Sequence, residues 1–318
     1  MGVSNDILSS LPESLLSAIV SFLPFKEAVR TSILSKDWVN VYKSTRKIEF
    51  NELFFVNVDQ SPEIIDAQRR AFSDFVRKWI EKHREDVIDK FSLTILIPEF
   101  FCELIDQCFR FALRNGVKDL ELDFTYQPYD IVSAVVVLPT YFYGCSGFES
   151  LKLYACEFVA SQCVNFHSLK KVSLGYMGIK LHAIKALLTN CEKLESLSFL
   201  KCWNSEGDFI LNEEYLGLKK LVINRCDFKF NIFRVKAPNL KVFNYHGLMI
   251  RFAVDIQSPV LDEVNLDFSL EYRCQGHGSY LYKFLKEFSS AKVMTVCSYL
   301  LQVHFLPFVF FLKFKFSF

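Results

Sequence analysis

Glycine and proline are scarce in this chain, 11 and 9 of 318 residues. That excludes collagen-like repeats and low-complexity disordered sequence. Charge of one sign is not in excess either, since 37 basic residues stand against 36 acidic ones. No long-range field therefore draws nucleic acid or an acidic membrane surface. The ten cysteines contain no Cys-x-x-Cys pair and no Cys/His spacing suited to zinc. There is no Asn-x-Ser/Thr sequon, and Asp6 and Glu13 interrupt an N-terminus that no Lys or Arg precedes, so a secretory signal is not expected. Buried free thiols in the cytosol or nucleus are the expectation.

Catalytic signatures are missing too. No phosphate-binding Gly-rich loop, no His-Glu-x-x-His and no Gly-x-Gly-x-x-Gly is present. Gly144-Cys145-Ser146-Gly147 is one residue short of a nucleophile elbow, and Gly276-His277-Gly278-Ser279 has the character of a turn. The histidines, His83, His167, His182, His246, His277 and His304, share no ligand or triad spacing. A non-catalytic protein without cofactor or metal is expected.

What the chain does hold is apolar surface: 51% of residues are hydrophobic, 16% aromatic, and 34 are Phe. At the N-terminus, Ser10 and Glu13 have capping-box spacing and Pro12 falls in the first turn, predicting a helix that Pro24 ends. Leu11, Leu15, Ile19, Phe22 and Leu23 recur at steps of three and four, one apolar face. A second short helix carries Ala28, Val29, Ser32 and Ile33. A third, capped by Ser35, carries Trp38, Val41 and Tyr42. Three short helices cannot bury all this surface alone. On periodicity, they either cap the domain that follows or face a partner.

A second pattern fills the rest of the chain. An apolar residue, two spacers, an apolar residue, one spacer, an apolar residue, two spacers and a Cys or substitute recur as a frame. It appears at Phe148–Phe158, Leu169–Ile179, Leu194–Cys202, Leu218–Phe228, Leu240–Ile250, Leu261–Phe268 and, more loosely, Ala291–Leu301. With earlier copies placed around Leu93 and Leu120, the central apolar residues fall at 93, 120, 151, 172, 197, 221, 243, 264 and 294. The mean period is about 25 residues, inside the range of leucine-rich repeats. Each frame predicts a short strand sending Leu151 and Leu153, or Leu221 and Ile223, into one core layer. Cys156, Cys202 and Cys226 then face the turn after the strand. Glu63–His83 predicts an amphipathic helix, and Leu181–Leu194 begins another on the convex side.

Leu11-Pro12, Leu15-Leu16, Ile19, Leu23-Pro24, Lys26 to Thr31, Leu34-Ser35-Lys36 and Trp38 together resemble the F-box of plant F-box/leucine-rich-repeat proteins. Asp37 and Val39 stand where that family usually has basic residues, and Tyr42 where Trp is common. Ser279–Val303 resembles the start of the FBD region that follows the repeats in many members. The resemblance implies an α/β fold: a three-helix F-box (1–45), a connecting segment with an irregular first repeat (46–92), and repeats (93–278). These would form a horseshoe solenoid with a parallel sheet on its concave face, then the FBD-like start (279–303). It implies a substrate-recognition subunit of a Skp–cullin–F-box ubiquitin ligase, with no enzymatic activity of its own. Leu11, Pro12, Leu15, Leu16, Ile19, Leu23, Pro24, Val29, Leu34 and Trp38 would bind the Skp-type adaptor, and through it cullin. The repeats would hold a protein target that the sequence does not name, since the exposed residues between the core positions, such as Lys152, Ser173, Ser198 and Asn244, spell no recognisable code.

Residues 304–318 lie outside the resemblance: six of the last eleven residues are Phe, and no acid follows Glu287. The apolar run is too short for a membrane span and holds Gln302, His304 and Pro307. The reading here is a non-family tail on a truncated repeat body. The alternative function is accordingly a truncated product or scaffold that binds the adaptor or other proteins without delivering targets.

Overall fold

The computed structural model describes residues 11–35, 38, 41, 45–83, 87–125, 136–159, 165–203, 209–211, 217–228, 232–248, 253–256, 258–259, 261–270, 285–297 and 314–316. The chain divides into two units, 1–136 and 137–318. In the first, helices α1 (Glu13–Ser21) and α2 (Phe25–Arg30) precede a run of alternating strands and helices. That run is β1 (Lys47–Asn51), α3 (Pro62–Lys82), β2 (Lys90–Thr94), α4 (Cys102–Arg114) and β3 (Asp119–Asp123). The three strands are parallel, in the order β1-β2-β3.

Local chemistry accounts for these elements. Pro62 supplies the fixed φ of a first helical turn, and the Glu63 backbone N–H, with the Ser61 side chain, holds the Glu63 carboxyl below its usual range. Phe72, Val76 and Trp79 recur along α3 at helical spacing and are buried. Ile48, Phe91 and Leu120 stand side by side in the sheet, as do Phe50, Leu93 and Leu122. The repeat position level with Leu120 is therefore Phe91, two residues before the expected Leu93. Phe91 and Leu93 both point inward, and alternation alone does not say which leads. β1 carries the same register back to residue 47, inside the segment read as a connection with an irregular first repeat. Helix α4 had no counterpart in the sequence reading.

Glu52, in the turn after β1, is wholly buried. One carboxylate oxygen accepts from Arg69 Nε on α3 at 2.9 Å, the other from the Leu96 N–H after β2 at 2.7 Å. A buried carboxylate needs such partners, and this one ties two coils and a helix together.

The second unit is a solenoid. Its main parallel sheet runs β5 (Ser150–Tyr154), β7 (Lys171–Gly175), β8 (Ser196–Leu200), β10 (Lys220–Asn224), β12 (Val242–His246), β14 (Glu263–Asp267), β15 (Val293–Val296) and β16 (Phe314–Phe316). Short strands β4 (Val136–Val137) and β6 (Cys156–Glu157) fall between longer elements. Leu151, Val172, Leu197, Leu221, Phe243, Val264 and Met294 are in one register row. Two residues on, Leu153, Leu174, Phe199, Ile223, Tyr245, Leu266 and Val296 form a second, and both rows are buried. Those are the positions the frame marks from residue 151 onward.

Opposite the main sheet, β9 (Phe209–Leu211), β11 (Ile232–Val235) and β13 (Ala253–Ile256) make a smaller parallel sheet. Phe209 stacks on Phe233 with ring centres 5.0 Å apart, and Phe199 meets Phe209 at 6.4 Å. The abundant Phe thus bridges the coil interior. Helix α5 (Leu181–Asn190) closes one coil, four residues short of the expected Leu194.

Each of four neighbouring strands of the main sheet, β5, β7, β8 and β10, is followed by a left-handed residue: Ala155, Tyr176, Lys201 and Arg225 have φ between 48° and 54°. This turns the chain out of the sheet while each N–H still donates to the next coil, as Tyr176 does to Leu200 O at 2.9 Å. Cys156 and Cys202 follow and are buried, their thiols directed at strand carbonyls such as Tyr154 O and Leu174 O. Cys226 is half-buried, and its sulfur accepts the Cys202 N–H at 3.4 Å.

The tail differs from expectation at one place. Phe314–Phe316 pairs in parallel with β15, Met294 beside Phe314, and Phe311, Phe314 and Phe316 reproduce the apolar spacing of the frame. The remainder of 304–318 lies outside the described residues, as do 279–284, 298–303 and Ser10.

Candidate functional site

The N-terminal helices begin differently from their sequence reading. Pro12, expected inside the first turn, instead directly precedes α1 as its N-cap, with φ −54° and ψ 143°, and Leu16 N donates to its carbonyl at 3.1 Å. Pro24 does the same for α2, with φ −55° and ψ 145° and Ala28 N donating at 2.9 Å. Proline lacks the N–H that a helix start leaves unsatisfied, so each Leu-Pro pair sets a sharp corner at no cost in hydrogen bonds.

These corners fold the helices onto a small core of Leu16, Val20, Ala28, Trp38 and Val41, with Leu11 against its edge. Helix α2 turns Phe25 away from that core toward the first coil. Its ring lies edge-on to Phe50 and Trp79, each at 5.7 Å.

The expected adaptor-binding residues separate into two sets. Leu16 and Trp38 are 3% and 4% exposed, and their side chains lie in the core between the helices. Leu15, Ile19, Leu23 and Leu34 are 51%, 40%, 40% and 62% exposed, and Pro12 and Pro24 are exposed beside them. Leu11 and Val29 are half-buried. Helical spacing explains the split: Leu16 and Val20 occupy one face of α1, and Leu15 and Ile19 the adjacent one.

Phe22 and Ile33 are the most exposed large apolar side chains here, at 87% and 85%, and neither was among the expected contacts. A signal existed for Ile33: adjacent Ile33 and Leu34 at the end of a short helix cannot both point inward. Charge contributes little at this site, where Arg30 and Glu27 pair at 2.9 Å but are both exposed.

No cluster of His, Cys, Asp or Glu among the described residues could hold a metal, and no disulfide joins the described cysteines. Burial pushes the Cys191 thiol up to about 12 and Cys108 and Cys226 further up, the opposite of what a nucleophile requires. No described helix is long and apolar enough to cross a membrane.

Comparison with known proteins agrees with this geometry. The F-box domain model matches residues 8–42, and the leucine-rich-repeat model of FBD-associated F-box proteins matches 105–260. The F-box protein At3g62230 of Arabidopsis thaliana is 30% identical over 95% of this chain and 67% of its own length. The chain belongs to the F-box/leucine-rich-repeat family. Two further Arabidopsis thaliana members, F-box/LRR-repeat proteins At1g56400 and At5g54820, are 33% and 32% identical over 94% and 95% of the chain. The chain spans 64% and 66% of their lengths, about two thirds. In the terms of that family, α1, α2 and Trp38 fall within the F-box match, and the strands from β3 to β13 within the repeat match.

Proposed function

We propose that this protein is a substrate-recognition subunit of a Skp–cullin–F-box ubiquitin ligase. The exposed apolar face of its F-box, Leu15, Ile19, Leu23 and Leu34 with Pro12 and Pro24, docks on a Skp-type adaptor, and the adaptor supplies the link to cullin. Leu11 and Val29 complete the edge of that contact. The repeats hold a protein target, so that its lysines reach a high effective concentration near the ubiquitin-conjugating enzyme. The chain supplies no catalytic group of its own, and it acts in the cytosol or nucleus.

The observation that carries this reading is a folded F-box whose own core is complete while its Leu15 face remains open. Soluble domains seldom leave so many large apolar side chains together without a partner. The test is calorimetric titration of a Skp-type adaptor into the intact chain and into a Leu15→Ala, Ile19→Ala, Leu34→Ala variant. Burying each side chain is worth roughly 1.5–3 kcal/mol, so binding should weaken tenfold or more. Undiminished binding by the folded variant would overturn the assignment.

A further inference from the structure

On the main sheet of the second unit, the residues between the two buried rows face outward. From β5 to β12 they are Ser150, Lys152 and Tyr154, then Lys171, Ser173 and Gly175, and so on to His246. Not one outward position on β5, β7, β8, β10 or β12 is acidic; the first acids, Glu263 and Asp267, are on β14. Three are lysines, Lys152, Lys171 and Lys220, and among the described residues none of these is in an ion pair.

One residue earlier on each strand, the chain shows what it does with cations it neutralises itself. Lys170 bonds Glu149 at 2.7 Å and Lys219 bonds Glu195 at 2.6 Å. Glu195 also feels Lys171, yet gives its short bond to Lys219. Exposed Glu157 and Asp227 lie past the strand ends. The three outward lysines thus stand over a floor of small side chains, Ser173, Ser196 and Ser198, on strands whose outward positions hold no acid.

Lys152 is also held in place. Its ammonium lies 4.7 Å from the centre of the Tyr154 ring. That ring rests on Gly175, where an added Cβ would sit 2.6 Å from a ring carbon. The Tyr154 hydroxyl is 3.4 Å from Ser173 Oγ. A cation already ordered loses less freedom when it binds.

We propose that this face, from β5 to β10, binds an acidic extended segment of a partner protein. The proposal deepens the reading that the repeats hold a target, and rests on it for the biological role. Three strand steps, roughly 14 Å, separate β5 from β10, the reach of four or five extended residues at about 3.3 Å each. Half-buried Leu200 and Val222 beside the lysines suit apolar side chains alternating with the carboxylates. A nucleic acid is the poorer fit, because the Tyr154 ring is engaged by Lys152 and Gly175 and offers no stacking platform.

The test uses the intact chain and a fluorescent ten-residue peptide alternating Glu and Leu. The Gln/Leu counterpart and a single-stranded RNA serve as comparisons. We expect the Glu peptide to bind, the Gln peptide to bind about tenfold or more weakly, and added salt to weaken the former. Lys152→Ser, Lys171→Ser, Lys220→Ser should abolish the difference, whereas Lys180→Ser, Lys193→Ser, elsewhere on the same unit, should preserve it. Equal binding of both peptides, equal loss in both variants, or tighter binding of RNA would each overturn the proposal. Adaptor binding measured on the same samples separates the two readings. Its loss in the wild-type chain sinks the ligase assignment alone, and loss of the peptide effect with adaptor binding intact sinks this one alone.

Discussion

The F-box helices and the repeat coils are both rich in apolar residues, but they spend them differently. In the coils, each inward row is closed by the next strand, so Leu197, Phe199, Leu221 and Ile223 are all buried. In the helices, Leu16 and Val20 are covered while Leu15, Ile19, Phe22 and Leu34 are not. A stacked repeat uses nearly every apolar side chain for stability. An F-box keeps a share of its own uncovered, and that share is available for binding. The same hydrophobic periodicity therefore has two meanings, and only the presence of a covering neighbour tells them apart.

The sharpest way to break this comparison is one truncation in each region. Phe199→Ala empties a fully buried site and should lower unfolding free energy by about 3–5 kcal/mol. Leu15→Ala, at a half-open surface, should change it by about 0.5 kcal/mol or less. Urea denaturation of both variants decides the matter. A Leu15→Ala loss as large as that of Phe199→Ala would mean that the helical face is covered within the protein.

Charge offers a second contrast. Glu52 is buried against Arg69 and the Leu96 N–H, whereas Glu27 and Arg30 pair in water. Removing one partner of a buried pair leaves the other uncompensated, so Glu52→Ala should cost about 3–5 kcal/mol. Glu27→Ala should cost about 0.5 kcal/mol at most. Comparable losses in thermal unfolding would show that Glu52 is not the link between coils described above.

Much of this was legible in the sequence. From Phe148 onward the frame marks both inward rows, because each coil repeats one spacing and a one-residue slip would turn every apolar side chain outward. Before that point the signal thins. Ile48-Glu49-Phe50 and Phe91-Ser92-Leu93 alternate as strands should, but their coils hold long helices and lack the Cys that fixes the frame, so the register at Leu93 slipped by two. Strands β9, β11 and β13 are only three or four residues long, below the length at which alternation is distinctive. In the F-box, the helices were readable and the division of labour was not. Leu15 and Leu16 are chemically identical neighbours, and which one turns inward depends on where Trp38 and Val41 pack.

The smallest expected effects test the backbone, and here the two regions should disagree in sign. Arg225 is exposed with φ 51°, a conformation that glycine adopts without strain and β-branched residues resist. Its N–H donates to His246 O at 2.6 Å, so the next coil holds the turn in place. Arg225→Gly exchanges relief of that strain against a more flexible unfolded chain, and should fall within about 0.5 kcal/mol of wild type. Arg225→Val should lose about 1–2 kcal/mol. At exposed Ala18, in the middle of α1, the order reverses. Ala18→Gly should cost about 1 kcal/mol and Ala18→Val nearer 0.5 kcal/mol, since a helix interior penalises glycine more than valine. Four chemical-denaturation curves give the answer. Valine preferred to glycine at residue 225 would mean that the coils do not turn through a left-handed residue there, and the repeated turn seen at residues 155, 176, 201 and 225 would lose its physical basis.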